Sequence, residues 1–482
     1  MFSQYNKATL AILVATLGGC SLMPGYQRPA APIPAVWPDN AQPAASRQGA
    51  NTDWQHYFPD PRLRALIAAA LESNRDLRIA TARIAEARAQ YGIQQSDRLP
   101  NLNLGGSRNA SLTPAGASVF SNNAMHSQRY DVGISLVSFE LDFWGRVGSL
   151  NASAKANYFA TESAQRAFRL SLISDVANAY LSMLELRERT ELTATTVKTR
   201  AETRELVRRR SELGVSSEMD FLQAEGAYQA SLAELANLER QQAAAENLLD
   251  LLLGQPMAAI KDLPAGRSLA EQGITPALIS GLPAEVLLQR PDVQAAEQKL
   301  IGANANIGAA RAAFLPRISL TGSAGTASRS LAGLFDPGSD AWSFQPALSM
   351  PIFDAGRASA NVDVASARKV IAVAEYEKTI QQAFREVADL LGASDKLARQ
   401  LAAQTANAQT QKQRLTLVEA RYKAGIASHL EVLDAQRESY AAEQGATQVR
   451  RIWLTVATQL FKALAGESND SQEKTSQEVA IK

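Results

Sequence analysis

The sequence predicts an α+β membrane protein made as a tandem repeat, each half supplying a helix, a β-hairpin and a long helical hairpin. Three observations predict it. The two halves of the 482-residue chain repeat one another. Each half switches once from helical spacing to strict alternation of apolar and polar residues. Each alternating block is followed by a long stretch nearly free of proline, over residues 144–213 and 355–424.

The duplication is read directly from the residues. Asp76-Leu77 through Leu99-Pro100-Asn101-Leu102-Asn103-Leu104 aligns without a gap on Asp292-Val293 through Leu315-Pro316-Arg317-Ile318-Ser319-Leu320, with Gly92 on Gly308 and Ser107 on Ser323. Further along, Gly145-Arg146 aligns with Gly356-Arg357, Val176-Ala177 with Val387-Ala388, Gly214 with Gly425 and Leu222 with Leu433. The second set is offset by five residues less than the first, as expected if the loop joining two strands differs in length between the halves.

The amino terminus has the layout of an export signal, with Lys7, an apolar run from Ala8 to Leu17, then Gly18-Gly19-Cys20. The run is too short to span a membrane. Leu17-Gly18-Gly19-Cys20 matches the bacterial lipobox, in which a signal peptidase cleaves before a lipidated cysteine. Residues 1–19 are thus a signal peptide, and Cys20 carries a diacylglycerol thioether and an N-acyl chain such as palmitate. Cys20 is the only cysteine, so no disulfide framework is available and a free thiol in an oxidising compartment would be a liability. Ser21 in place of Asp, by resemblance to enteric lipoproteins, permits sorting to the outer membrane. Residues 20–60, rich in Pro, Ala, Gln and Ser after the cysteine, read as an extended tether.

Residues 61–254 form the first repeat and 281–466 the second. Within them, 62–98 and 283–314 carry Ala, Leu and Gln at helical spacing and stop before Leu-Pro pairs. The period then becomes two. Leu102 and Leu104, then Val132, Ile134 and Leu136, mark a hairpin over about 101–141. Ile318 and Leu320, then Trp342, Phe344, Leu348, Met350 and Ile352, mark another over about 317–353, with Pro346 as a local irregularity. The long helices 144–213 and 355–424 each break at a glycine, Gly214 or Gly425, and return over 217–253 and 428–464 as antiparallel coiled coils. Residues 255–280 are a linker and 467–482 a polar tail.

Four strands with one apolar face suit a transmembrane β-barrel but cannot close, and open edges in hydrocarbon leave backbone groups unsatisfied. A pore therefore needs at least three chains. A homotrimer would form a 12-stranded barrel, and the helical hairpins would continue it as a hollow α-helical barrel.

At this point the chain resembles a known family. The lipobox with Cys20, the run Ala309-Ala310-Arg311-Ala312-Ala313-Phe314-Leu315-Pro316-Arg317-Ile318-Ser319-Leu320, Ala383-Phe384-Arg385-Glu386-Val387-Ala388-Asp389 and Leu433-Asp434-Ala435-Gln436-Arg437 are similar to the TolC-like outer membrane factors, lipoprotein branch. The resemblance implies a homotrimeric exit duct in the outer membrane of a Gram-negative bacterium, extending into the periplasm. It would passively conduct drugs and other small molecules delivered by a periplasmic adaptor (a membrane fusion protein) and an inner-membrane RND transporter. It implies adaptor-contacting helix tips at Arg210, Gly214, Val215, Ser217, Gly425, Ile426 and Ser428. It also implies a constricted aperture at Asp220, Glu431 and Asp434, with Leu430 as an apolar constriction and Arg421 and Tyr422 tying adjacent helices. A duct for type I protein secretion or metal-ion efflux, and a non-conducting periplasmic scaffold, are the other readings.

Other classes find little support. The formal charge of +1 gives no field for nucleic acid. Ser366-Ala367-Arg368-Lys369 has a serine-lysine spacing but lies inside a long helix without companion motifs. His56, His126 and His429 are scattered, which predicts surface residues rather than a metal site, and there is no phosphate-binding glycine loop. No enzyme activity and no cofactor beyond the covalent lipid are expected.

Overall fold

The structure is a computed structural model that describes residues 21–34, 37, 53–116, 123–274 and 284–464. The expected signal peptide, Cys20 and the polar tail lie outside the described residues, as do residues 38–52 of the tether and 275–283 of the linker region. The chain divides into two compact units.

The first unit takes in Arg83–Glu162 and Ala295–Glu377 together with the segment ending at Ala30. Its centre is a four-stranded antiparallel sheet, β1 (Leu102–Thr113), β2 (Met125–Glu140), β3 (Arg317–Ser328) and β4 (Asp340–Ser349), in the order β1-β2-β3-β4. The two hairpins, one from each repeat, pair through β2 and β3. Register places apolar residues in continuous rows on one face. Leu102 pairs with Leu136, which pairs with Gly322, which pairs with Phe344, and Leu104, Ile134, Ala324 and Trp342 form the next row. Between them runs Asn103, Ser135, Ser323 and Ser343, on the opposite face. The apolar row is open to its surroundings, with Leu104 79% and Trp342 80% exposed. Pro346 is accommodated in β4, an edge of this sheet, opposite Leu320. β2 is the longest strand at 16 residues and carries an irregularity between Leu136 and Phe139, where Ser138 has a positive φ of 51°.

Residues 21–34 after Cys20 form no helix or strand, yet they are docked; the tether expected to run to residue 60 ends sooner, because Trp54–Tyr57 is helical and Tyr57, Phe58 and Asp60 are buried. Arg28 makes a two-pronged ion pair with Glu297 at 2.6 and 2.7 Å, and the Tyr26 hydroxyl donates to the same carboxylate. Asn304 donates to the Pro24 carbonyl at 2.7 Å. Ser21 lies so close to Gly145 that a Cβ there would stand 3.2 Å from the Ser21 Cα.

The second unit holds Ala31–Ala82, Ser163–Gln294 and Lys378–Lys482. Its elements are α1 (Trp54–Tyr57), α2 (Pro61–Ser73) and the start of α3 (Arg75–Ser96), with most of α4 (Arg146–Glu212) and α5 (Glu218–Leu253). They are joined by the start of α6 (Pro291–Ala312), most of α7 (Arg357–Lys423) and α8 (His429–Leu464). The single helix expected over 62–98 is two, because Asn74 turns its side chain to accept from Leu77 N (2.8 Å) and donate to the Leu252 carbonyl (2.8 Å). Helix α2 presents Leu63, Leu66, Ile67 and Ala70 at i, i+3, i+4 and i+7, all buried. Beside them Tyr57 stacks on Phe461 (4.8 Å), with Phe58 edge-on to both, and the Tyr57 hydroxyl donates to the Ala457 carbonyl.

The linker after α5 is tied down by one buried carboxylate. Asp60 caps α2 through Arg62 N and accepts from the Tyr180 hydroxyl, Arg267 N and Gln272 Nε2. Helices α4 and α8 are cross-linked by polar groups: Gln444 donates to the Thr193 hydroxyl, which is also hydrogen-bonded to the Tyr440 hydroxyl, and Arg451 pairs with Glu185.

Candidate functional site at the helical hairpin tips

Both hairpins turn by the same device. At the end of α4, Gly214 has φ +70°, Val215 N donates to the Arg210 carbonyl (2.8 Å) and Gly214 N to Ser211 (2.9 Å). At the end of α7, Gly425 has φ +74°, Ile426 N donates to Arg421 (2.9 Å) and Gly425 N to Tyr422 (3.0 Å). These are paired six-to-one and five-to-two bonds that satisfy the last helical carbonyls, and they need a left-handed residue for which glycine has no Cβ penalty. Val215 and Ile426 occupy equivalent places and both point outward, exposed.

The returning helices begin with matching capping boxes. Ser217 accepts from Asp220 N (3.1 Å), while its own N donates to the Asp220 carboxylate (3.1 Å). Ser428 and Glu431 repeat the exchange, with Ser428 N donating to Glu431 Oε1 (3.0 Å) and Glu431 N to Ser428 Oγ (3.2 Å). Asp220 also takes the Ser216 and Ser217 hydroxyls, and these hydrogen bonds hold its carboxyl below the ordinary range. Hydrogen bonds from the Ser428 backbone and side chain do the same for Glu431. In this chain, then, two of the three expected aperture acids are engaged in starting α5 and α8.

Asp434 stands differently. It is gripped by Arg414 of α7 (2.8 Å) and Arg437 of its own helix (2.8 Å), and its side chain is part-exposed. A hollow of about 750 Å³ opens beside it, lined by Arg200, Leu430, Glu431, Leu433 and Tyr440 among others. Leu430 is exposed. Tyr422 does join two hairpins, but its partner is Arg210, whose Nη1 donates to the hydroxyl at 3.1 Å with the guanidinium over the ring at 5.9 Å. Arg421 contributes its carbonyl to the turn and bears electrostatically on Glu431.

A family model described as outer membrane efflux protein matches residues 66–255 and 282–466, the two repeats almost in full. The chain belongs to the outer membrane efflux protein family. The chain is 46% identical over 466 residues to outer membrane protein OprJ of Pseudomonas aeruginosa, covering 95% of each. It is 44% identical over 465 residues to the toluene efflux pump outer membrane protein TtgI of Pseudomonas putida, covering 95% of this chain and 97% of that one. Among solved structures it matches the open state of the Neisseria gonorrhoeae MtrE outer membrane channel with a TM-score of 0.82 and 38% identity, over 93% of this chain and 98% of that one. A membrane protein from Pseudomonas aeruginosa matches with a TM-score of 0.84 and 42% identity, over 92% and 100%.

The efflux family is one of outer-membrane conduits reaching into the periplasm, and this chain is such an efflux channel protein. The repeated helix and strand architecture is the family's. Sequence reasoning missed two features of the tips. Arg414 is twenty residues from Asp434 in the chain, in no motif, and only the antiparallel return of α8 along α7 brings them together. His429, expected on the surface, is buried at 8% exposure, whereas His56 and His126 are exposed as expected. The correction has a simple cause: as the first residue of α8 it is folded inward against Tyr422 rather than outward from the turn.

Proposed function

We propose that three copies of this chain close a twelve-stranded barrel in the outer membrane and a helical conduit beneath it, through which small organic molecules leave the cell passively. The observation that carries this reading is the open sheet with one continuous apolar face. Its rows of Leu, Ile, Phe and Trp face outward, and β1 and β4 are edges that only other copies can pair inside hydrocarbon. The polar face, with Asn103, Ser135, Ser323 and Ser343 in one row, suits a wet lumen.

The turns at Gly214 and Gly425 suit contact with a periplasmic adaptor, since Val215 and Ile426 offer matched apolar points on both hairpins. An inner-membrane RND pump would supply the energy. The Leu430 and Asp434 region is the narrow part of the reading, with the Arg414–Asp434–Arg437 bridge keeping the tip drawn in. Relatives named for toluene, solvent and antibiotic efflux support lipophilic organic compounds as cargo. Lipidation of Cys20 is supported by the docked segment behind it, which brings Ser21 to Gly145, at the junction of the sheet with α4. An acyl anchor there would enter the leaflet beside the barrel.

Planar-bilayer recording of the purified protein, with native mass spectrometry of its assembly, tests the reading. Trimers passing small, cation-preferring currents support it; well-folded protein that stays monomeric or conducts nothing after tip-loosening substitutions refutes it. Mass spectrometry of the mature amino terminus tests the lipid: Cys20→Ser should abolish a mass gain of one diacylglycerol and one acyl chain.

A further inference from the structure

The residue packed between the two hairpin tips is a histidine, His429. His429 is 8% exposed, and among the described residues neither Nδ1 nor Nε2 is paired. Its ring lies against Tyr422, 5.8 Å between centroids, and that same tyrosine is the group through which Arg210 ties α4 to α7. The charged and titratable groups that bear on the ring come from each neighbouring element: Arg210 of α4, Asp220 of α5 and Tyr422 of α7. On its own helix Glu431 is turned back into its capping box. Asp220 is likewise directed to Ser216 and Ser217, so neither carboxylate is placed to pair with an imidazolium in this arrangement.

Such a slot accommodates an uncharged imidazole and offers a charged one no hydrogen-bond partner among the described residues. We propose that His429 is a positioning residue for opening: neutral, it packs Tyr422 into the Arg210 tie between the hairpins, and protonated, it leaves the slot and releases that tie. The tips would then loosen as the periplasm acidifies. This rests on reading the tips as the channel's aperture.

The electrostatics agree with the geometry. Burial pushes His429 below its ordinary value of 6.5, Arg210 adds to the depression and Asp220 opposes it. A histidine with a depressed value in the packed state favours that state at pH well above 6.5 and loses the contribution as pH falls through the depressed value. Asp220 and Glu431 cannot mimic this, because both are held below the ordinary carboxylate range and stay charged across the same window.

The test is single-channel conductance of wild type and His429→Gln between about pH 7.5 and pH 5.0, together with hydrogen exchange at the tips. Wild type should show a several-fold rise in conductance and faster exchange in residues 205–216 and 421–432, with a one-proton midpoint below 6.5. The variant should lack the acid step and keep a similar level at both ends. The same acid response in both proteins, or a flat profile in wild type, overturns the proposal. Absence of any conductance at either pH counts against the channel reading, and the exchange comparison then decides the latch separately.

Discussion

Replacing Gly325 by alanine tests whether β2 and β3 approach as closely as their pairing indicates. Gly325 faces Gly133 across the two strands, in a row that continues to Gly105 and Ala341. A Cβ on Gly325 would stand 2.2 Å from the Val132 carbonyl oxygen and 2.4 Å from the Gly133 Cα, where ordinary contact begins near 3.4 Å. Both obstacles are backbone, so no side chain can swing aside. The strands must part by more than an ångström at the seam between the two repeats, lengthening the ladder hydrogen bonds on either side. Overpacking of this kind costs about 1–3 kcal/mol per chain, roughly a five- to hundredfold shift in the folding equilibrium. Gly105 is in the same row but a Cβ there meets nothing within 4 Å, so Gly105→Ala is the control. Both variants would be folded into lipid vesicles and unfolded in guanidinium with tryptophan fluorescence as the readout. Gly325→Ala should lower the midpoint and Gly105→Ala should not. Equal midpoints for the two would refute the reasoning, since the sheet would then be free to relax at the seam.

Three further outcomes are expected. Trp342→Arg on the apolar face should cost about 2–4 kcal/mol of folding into bilayers if that face meets lipid near the midplane, while Ser343→Arg on the opposite face should cost far less, measured as folded fraction in vesicles. Asp434→Asn releases both Arg414 and Arg437, and should raise single-channel conductance while lowering cation preference; unchanged currents would remove the bridge from the gate. Phe461→Ala, at the centre of the Tyr57–Phe58 cluster, should cost about 3–5 kcal/mol in the second unit, read by thermal unfolding.

A capping prediction carries a sign of its own. The Asp220 carboxylate, depressed by Ser217 and Ser216, should keep the first turn of α5 protected above its ordinary value of 3.8. That protection should be lost only as pH falls through the depressed value, so exchange at Asp220 and Phe221 in a His429→Gln background stays slow at pH 5. Fast exchange there would mean the capping box does not hold the turn.

Much of the architecture was legible because its signals are local. A Leu-Pro pair, a glycine after a helical run and an alternation of Trp, Phe and Leu with Ser and Gln each act within a few residues, and both hairpins of strands and both long helical hairpins recur in the two halves. The long helices begin and end within two residues of the expected bounds for that reason. The break at Asn74 escaped because it depends on the Leu252 carbonyl, a partner far away in the chain. The roles of the tip residues escaped more often. Asp220 and Glu431 have the composition of an acidic ring and the spacing of a capping box, and only the folded structure shows that the serines hold them.

The sequence by itself determined the repeat, the order of helix and strand, the turn glycines and the family, because periodicity and backbone chemistry are written in neighbouring residues. Tertiary structure alone decided which strands meet at the seam, which arginines grip Asp434, and that His429 is buried with no hydrogen-bond partner among the described residues. Those are pairings between residues tens or hundreds of positions apart, and no local pattern encodes which of many chemically equivalent partners the fold will bring within three ångströms.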